Sequence, residues 1–136
     1  STLFAGNTVT VVNFWFTTCS PCVGELSDLE ALNKSLSEKG GEVVGINSFT
    51  LDGDKTAISE AKDVLTKKGA SYKNIWFEYN SEAGKFTSGL YSYPTTYVVD
   101  KNGNIVGDPI TGAITGKKQS EKLNELIDRA IANSKG

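Results

Sequence analysis

The two cysteines of this chain, Cys19 and Cys22, are separated only by Ser20 and Pro21. A disulfide between them closes a very short loop, so it removes little entropy from the unfolded chain and stabilises the fold poorly. The spacing instead suits a pair that alternates between dithiol and disulfide, which is the chemistry of thiol–disulfide exchange. An inert structural disulfide remains the simpler alternative.

The sequence around the pair favours the redox interpretation. The pair follows an apolar run that ends at Phe16, and Pro21 suits the first turn of a helix, where a missing N–H costs nothing. The partial positive charge of a helix N-terminus favours a thiolate, so Cys19 is predicted to be the more acidic thiol. Cys19 would then attack a substrate disulfide, and the more buried Cys22 would resolve the mixed disulfide.

Other reactions lack the residues they need. The chain has no histidine, which excludes histidine general bases, Ser-His-Asp triads and histidine metal ligands. Two cysteines are too few for a structural zinc site, and a c-type haem would require histidine where Val23 stands. Peroxiredoxins place threonine three residues before the attacking cysteine, where this chain has Phe16. We therefore expect no metal and no cofactor.

The residues between the cysteines bear on the direction of electron flow. Pro21 stiffens the connection and withholds one N–H from the sulfur, and no basic residue lies between the cysteines to stabilise a thiolate further. We therefore expect a reducing pair, near the thioredoxin end of a range that runs from about −270 mV to about −120 mV. An oxidase or isomerase would use the same residues at a higher potential.

The elements that must position the pair are predicted from periodicity. Alternating or continuous β-branched and aromatic runs predict strands over residues 9–16, 42–49, 74–79, 95–100 and 104–107, the last two joined by an Asn-Gly turn. Apolar residues at helical spacing predict helices over 22–39, 57–68 and 120–132, with a short helix or irregular stretch over 81–89. Strands that alternate with helices before a late hairpin indicate an α/β fold, a mixed sheet flanked by helices in one domain over residues 1–136.

Charge and hydropathy limit the partners. The net charge of −2 gives no electrostatic reason to expect nucleic acid, and no apolar run approaches the ~20 residues of a membrane span. The chain begins at Ser1 and contains no methionine, so we expect a processed or excised product whose leader or anchor lies outside this sequence.

Several motifs, in order, resemble one branch of the thioredoxin superfamily. These motifs are VVNFWFTTCSPCVGE at 11–25, YPTTYVVD at 93–100, residues 103–106 and Gly112. They are similar to the TlpA/ResA-like thiol–disulfide oxidoreductases. The resemblance implies a thioredoxin fold in which the long stretch between Cys19 and Pro94 holds the central helix–strand insert of that branch. Thr18 stands where the family commonly has tryptophan, a departure that bears on substrate preference and not on the chemistry.

The resemblance also assigns site residues. It implies that Pro94 is the family's cis-proline, with the Tyr93 backbone available to an extended substrate, and that Thr18, Ser20 and Pro21 contact substrate as well. An ordinary proline at the start of an edge strand is the alternative.

Two polar residues are assigned supporting chemistry. Thioredoxins usually carry an aspartate at the position of Asn13, and in this branch an acidic residue three positions after the second cysteine takes over its role. That residue is Glu25, which a raised pKa would suit as a base toward Cys22. The alternatives are a solvated acid at a helix N-terminus for Glu25 and a hydrogen-bonded core amide for Asn13.

The resemblance implies a compartment and partners. Members of this branch face the outside of the cytoplasmic membrane, carried by an anchor, so we expect an extracytoplasmic, membrane-anchored monomer. It would reduce protein disulfides in apocytochromes c, methionine sulfoxide reductases or other exported clients, and take electrons from a membrane donor of the DsbD/CcdA class. A redox-inert binding domain that kept the fold is the alternative, and the intact CSPC motif argues against it.

Overall fold

The computed structural model describes residues 6–48, 51–75, 78, 80–81 and 93–135. The described strands are β1 (Val9–Trp15), β2 (Glu42–Asn47), β3 (Lys73–Ile75), β4 (Thr95–Asp100) and β5 (Ile110–Thr111). The described helices are α1 (Ser20–Gly24), α2 (Leu26–Ser37), α3 (Lys55–Lys67) and α4 (Lys117–Lys135), with a 3₁₀ turn at Leu51–Gly53.

The strands form one mixed sheet in the order β3-β2-β1-β4-β5. β1 runs parallel to β2, which runs parallel to β3, whereas β4 is antiparallel to β1 and β5 is antiparallel to β4. β1 is buried along its whole length, as its continuous apolar run predicts for a central strand. The predicted α/β class and mixed sheet are confirmed, and the central strand delivers the chain directly to Cys19.

One helix prediction was wrong in detail. The predicted helix over 22–39 is two helices, α1 and α2, divided at Glu25. The backbone of Glu25 has φ −98° and ψ −1°, and its N–H donates to the carbonyl of Cys22 at 3.3 Å, an i→i−3 bond that tightens the turn. The division coincides with the residue whose side chain is turned into the core, so tertiary contacts override a helical pattern that is otherwise continuous.

The predicted hairpin after β4 is shorter than expected. The Asn-Gly turn forms where predicted, with Gly103 at φ +83° and its N–H donating to the Asp100 carbonyl at 3.0 Å. The predicted strand over 104–107 contributes only an isolated bridge between Val99 and Ile105, and regular pairing resumes at β5. The Asp100 carboxylate explains this, because it accepts two further backbone N–H groups and curls the chain around itself.

Part of the predicted central region lies outside the described residues. The strand predicted over 74–79 is observed as β3, and the rest of that range is described only at Glu78. The predicted stretch over 81–89 is described only at Ser81. The central helix–strand insert therefore stays a prediction, whereas the predicted helices over 57–68 and 120–132 are confirmed as α3 and α4, each extended at its N-terminus.

The main core lies on one face of the sheet, and both cysteines belong to it. This cluster joins Trp15 of β1 to apolar side chains of α1, α2 and α4, and Cys19 and Cys22 lie within it. A smaller cluster on Val12, Phe14, Ile46 and Val99 is separate from it. The redox pair is therefore a part of the packed core. Among the described residues, no helix has the length and apolar character needed to cross a membrane.

Candidate active site

The disulfide sits at the start of α1. Cys19 and Cys22 are bonded, with their Cα atoms 5.2 Å apart. Cys19 is the N-cap of α1, and its Sγ accepts the Cys22 backbone N–H at 3.3 Å. Cys22 is fully buried and Cys19 keeps 7% of its surface exposed. The predicted asymmetry of burial is confirmed, since Cys19 keeps some exposed surface and Cys22 keeps none.

The residues that flank Cys19 form the surface that a partner would meet. Thr18, Ser20 and Pro21 are all exposed, in contrast to the two cysteines they surround. Their exposure is what substrate contact requires, and their predicted role stays a prediction.

Tyr93 and Pro94 form the segment that leads into β4. The Tyr93–Pro94 peptide bond is cis, as the resemblance implied. Pro94 is buried, and its carbonyl accepts the Gly112 N–H at 3.0 Å. The Tyr93 ring packs edge-on against the Phe16 ring with centroids 5.0 Å apart, and both rings pack on the cluster that contains the cysteines. An aromatic pair therefore packs on the same core cluster as the disulfide.

Glu25 is buried completely, so its interpretation as a solvated acid was wrong. One carboxylate oxygen, Oε1, accepts Nδ2 of Asn13 at 2.8 Å, and Oε2 accepts the Ile114 backbone N–H at 2.8 Å. Burial raises the pKa of Glu25, the two hydrogen bonds oppose that rise, and the nearby charge of Asp28 adds to it. Desolvation outweighs the donors, and the net pKa of Glu25 is raised, the direction a base toward a thiol needs.

Asn13 is the hydrogen-bonded core amide that the sequence predicted. It is fully buried, and its Nδ2 also donates to the hydroxyl of Thr96 at 3.0 Å. Strand register explains the contact, because Asn13 lies opposite Thr96 where β1 pairs with β4.

Among the described residues, Oδ1 of Asn13 and the hydroxyl of Tyr72 are buried without a hydrogen-bond partner. Burial and the charges of Glu25 and Glu30 raise the pKa of Tyr72, which keeps the phenol neutral.

Sequence reasoning missed two residues of this site, Thr96 and Ile114, and the role of a third, Gly112. Thr96 and Ile114 carry no chemical signal, since one is an ordinary strand threonine and the other contributes only its backbone N–H. Gly112 was noticed as part of the family pattern, but nothing in the pattern said that its amide binds the Pro94 carbonyl. In the part of the chain that the structure describes, no group of three or more cysteine, aspartate or glutamate side chains could hold a metal ion.

The burial of the Glu25 carboxylate predicts how the stability of the protein changes with pH. A raised pKa in the folded state means that the folded protein keeps a proton on Glu25 at pH values where the unfolded chain has lost it. Stability should therefore be fullest below about pH 4.3 and should fall as pH rises through the raised pKa, by up to about 1.4 kcal/mol per pH unit. The measurement is the free energy of unfolding of wild type minus that of Glu25→Gln, by denaturant titration from pH 4 to 8.

The Glu25→Gln variant is a suitable reference for that difference. Glutamine can accept the Ile114 N–H and donate to Oδ1 of Asn13 once the asparagine amide has flipped. Hydrogen bonds from Ser71 lower the pKa of Glu30, which gives stability the opposite slope, but this contribution is common to both proteins and cancels. A difference that is flat or that grows in favour of wild type as pH rises would contradict the prediction.

Comparison with known proteins places this geometry among thioredoxin-like chains. The AhpC/TSA family model matches residues 1–107. The chain is 30% identical over 117 residues to the thioredoxin-like protein YneN of Bacillus subtilis, covering 84% of this chain and 62% of YneN. It is 27% identical over 121 residues to the thiol-disulfide oxidoreductase ResA of Bacillus thuringiensis, covering 87% of this chain and 61% of ResA. The chain thus spans less than two thirds of these relatives.

A solved structure supports the fold. A thiol:disulfide interchange protein of the thioredoxin family from Chlorobium tepidum matches with a TM-score of 0.68 and 21% identity, over 96% of this chain and 84% of that one. Likeness at this level of identity speaks to the fold alone, and it confirms the predicted thioredoxin fold.

Proposed function

Because this chain belongs to the AhpC/TSA family of thioredoxin-like proteins, we propose that it is a thiol–disulfide oxidoreductase that reduces disulfides in other proteins. The observation that carries the proposal is the asymmetric pair at the start of α1. Cys19 keeps exposed surface and its Sγ accepts a backbone N–H, while Cys22 is fully buried. A structural disulfide needs no such difference between its two halves.

In the first step the reduced protein attacks its client. The Cys19 thiolate, stabilised by the Cys22 N–H, attacks one sulfur of the client disulfide. The client S–S bond breaks, a Cys19–client disulfide forms, and the departing client thiolate takes up a proton from solvent. Thr18, Ser20, Pro21 and the Tyr93–Pro94 segment are the contact surface we assign to the client.

In the second step Cys22 releases the client. Glu25 accepts the Cys22 proton, and the resulting thiolate attacks Sγ of Cys19, which restores the Cys19–Cys22 disulfide. The second client thiolate leaves and is protonated, so two electrons and two protons pass to the client overall. Asn13 supports the step by holding the Glu25 carboxylate. The buried setting of Glu25 supports this role, since a carboxylate of raised pKa is better matched to a thiol than an exposed one.

The reduction potential of the pair tests the direction of transfer. We expect a value at or below about −250 mV after equilibration with dithiothreitol and glutathione buffers, since the Cys22 backbone N–H is the only hydrogen-bond donor to Cys19 Sγ among the described residues. The fractions of oxidised and reduced protein are measured by alkylation and mass spectrometry. A value near about −120 to −180 mV would indicate an oxidase or isomerase with the same residues. If the pair does not exchange with either buffer, the alternative of a redox-inert binding domain would be the remaining interpretation.

We further propose an extracytoplasmic setting, a membrane anchor outside this sequence, and a monomeric working form. The clients would be exported proteins such as apocytochromes c or methionine sulfoxide reductases, and a membrane dithiol donor of the DsbD/CcdA class would reduce Cys19–Cys22 after each cycle. The support is the similarity to ResA, which is described as a thiol-disulfide oxidoreductase. A compartment that oxidises thiols would require such a donor, because a reducing pair there is otherwise lost to its surroundings.

A further inference from the structure

A short segment between β5 and α4 touches both halves of the site through its backbone. The Gly112 N–H donates to the carbonyl of Pro94 at 3.0 Å, and the Ile114 N–H donates to Oε2 of Glu25 at 2.8 Å. The two amides are two residues apart in the chain. One binds the segment that leads into β4, and the other binds the carboxylate that follows Cys22.

The conformation of Gly112 makes this double contact available. Its φ is +90°, a region that residues with a side chain rarely adopt. A Cβ placed there would also stand 3.2 Å from the Gln119 side-chain amide, which is tighter than ordinary packing. Glycine is therefore required at this position by the path of the chain.

We propose that residues 112–114 are a positioning element of the active site, in which the left-handed turn at Gly112 aims the Ile114 N–H at Glu25 while the Gly112 N–H fixes Pro94. Gly112 and Ile114 act through Glu25 and Pro94 and do not touch the reacting sulfurs in this scheme. The proposal deepens the proposed function and rests on it only where Glu25 is assigned the Cys22 proton. The position of the carboxylate itself does not depend on that assignment.

A backbone amide has a chemical advantage as the partner of a base. It cannot ionise, so it remains a donor at every pH and leaves Glu25 as the group that titrates. Its hydrogen bond favours the ionised carboxylate and opposes the rise in pKa that burial causes. The other ionisable groups that interact electrostatically with Glu25 among the described residues are Asp28 of α2 and Tyr72 before β3.

The test compares Gly112→Ala with Gly69→Ala in the oxidised chain. Gly69 also has a positive φ, +68°, but it ends α3, and an added methyl there meets no atom within 4 Å. Both variants introduce the same kind of backbone strain, and only Gly112→Ala disturbs the Ile114 N–H. The pKa of Glu25 is read from the pH dependence of its side-chain carboxyl ¹³C shift. We expect Gly112→Ala to raise it by about one pH unit or more and Gly69→Ala to leave it unchanged.

A second variant removes the N–H without changing any side chain. Replacement of Ile114 by the corresponding α-hydroxy acid converts the amide to an ester, and we expect the pKa of Glu25 to rise as in Gly112→Ala. The proposal is overturned if the ester leaves the pKa of Glu25 where it is in wild type, whatever Gly112→Ala does to folding. If the pKa moves but the wild-type protein reduces no disulfide, the positioning element stands and the proposed function fails.

Discussion

Cys19→Ser should abolish disulfide reduction, while Cys22→Ser should keep the first step and stop at the second. The reason is the burial difference, because Cys19 keeps 7% exposure and Cys22 keeps none. A client sulfur can reach only Cys19, so its loss removes the attacking thiolate. Loss of Cys22 leaves a Cys19–client disulfide with no internal nucleophile to release it. The measurements are turnover of a disulfide substrate with dithiothreitol as donor and intact-mass analysis of the adduct.

The two variants control each other, since each replaces one sulfur by oxygen at nearly the same volume. Turnover by Cys19→Ser should fall to the uncatalysed rate, and Cys22→Ser should accumulate one client per chain, releasable by added dithiothreitol. A stable adduct on Cys19→Ser, with none on Cys22→Ser, would reverse the assigned roles. Adducts on neither variant would argue that the pair does not react with protein disulfides.

Glu25→Gln should slow the second step by about 100-fold at neutral pH, within the usual range for removal of a general base. Glu25 is the buried carboxylate one helical turn after Cys22, and its raised pKa means that it gains a proton at higher pH than an exposed glutamate does. The base is active when ionised, so the wild-type rate should fall as pH decreases through that raised pKa. The pH–rate profile of the glutamine variant should not show this decrease.

Single-turnover release of the second client thiol, followed from pH 5 to 9, measures this rate. Asp28→Asn is the matched control, because Asp28 is exposed and lies near enough for its charge to raise the pKa of Glu25. It acts on the carboxylate through its charge, whereas the hydrogen bonds to the carboxylate come from Asn13 and Ile114. This variant should keep the wild-type rate at neutral pH, and the fall in rate should occur at lower pH than in wild type. An unchanged rate in Glu25→Gln would remove Glu25 from the mechanism and leave water as the base.

The redox pair and most of the scaffold were predictable from residue types and spacing alone. The CSPC spacing after an apolar run identified Cys19 and Cys22, and Pro21 marked a helix start, because these signals are local and depend on residue type alone. Element order followed from periodicity for the same reason. The cis state of the Tyr93–Pro94 bond came from the family pattern and not from local physics, which favours trans.

The way in which Glu25 is held depends on contacts that form only in the folded chain. Local preference treats a glutamate in the first turns of a helix as a solvated acid, yet the fold breaks the helix there and turns the carboxylate inward. Its partners are Asn13, 12 residues away, and the Ile114 amide, 89 residues away. A backbone N–H is identical in every residue but proline, so no sequence pattern could mark Ile114. The spacing of the cysteines was enough to predict their chemistry. The environment of Glu25, by contrast, forms only where β1, the break between α1 and α2, and the β5–α4 loop meet.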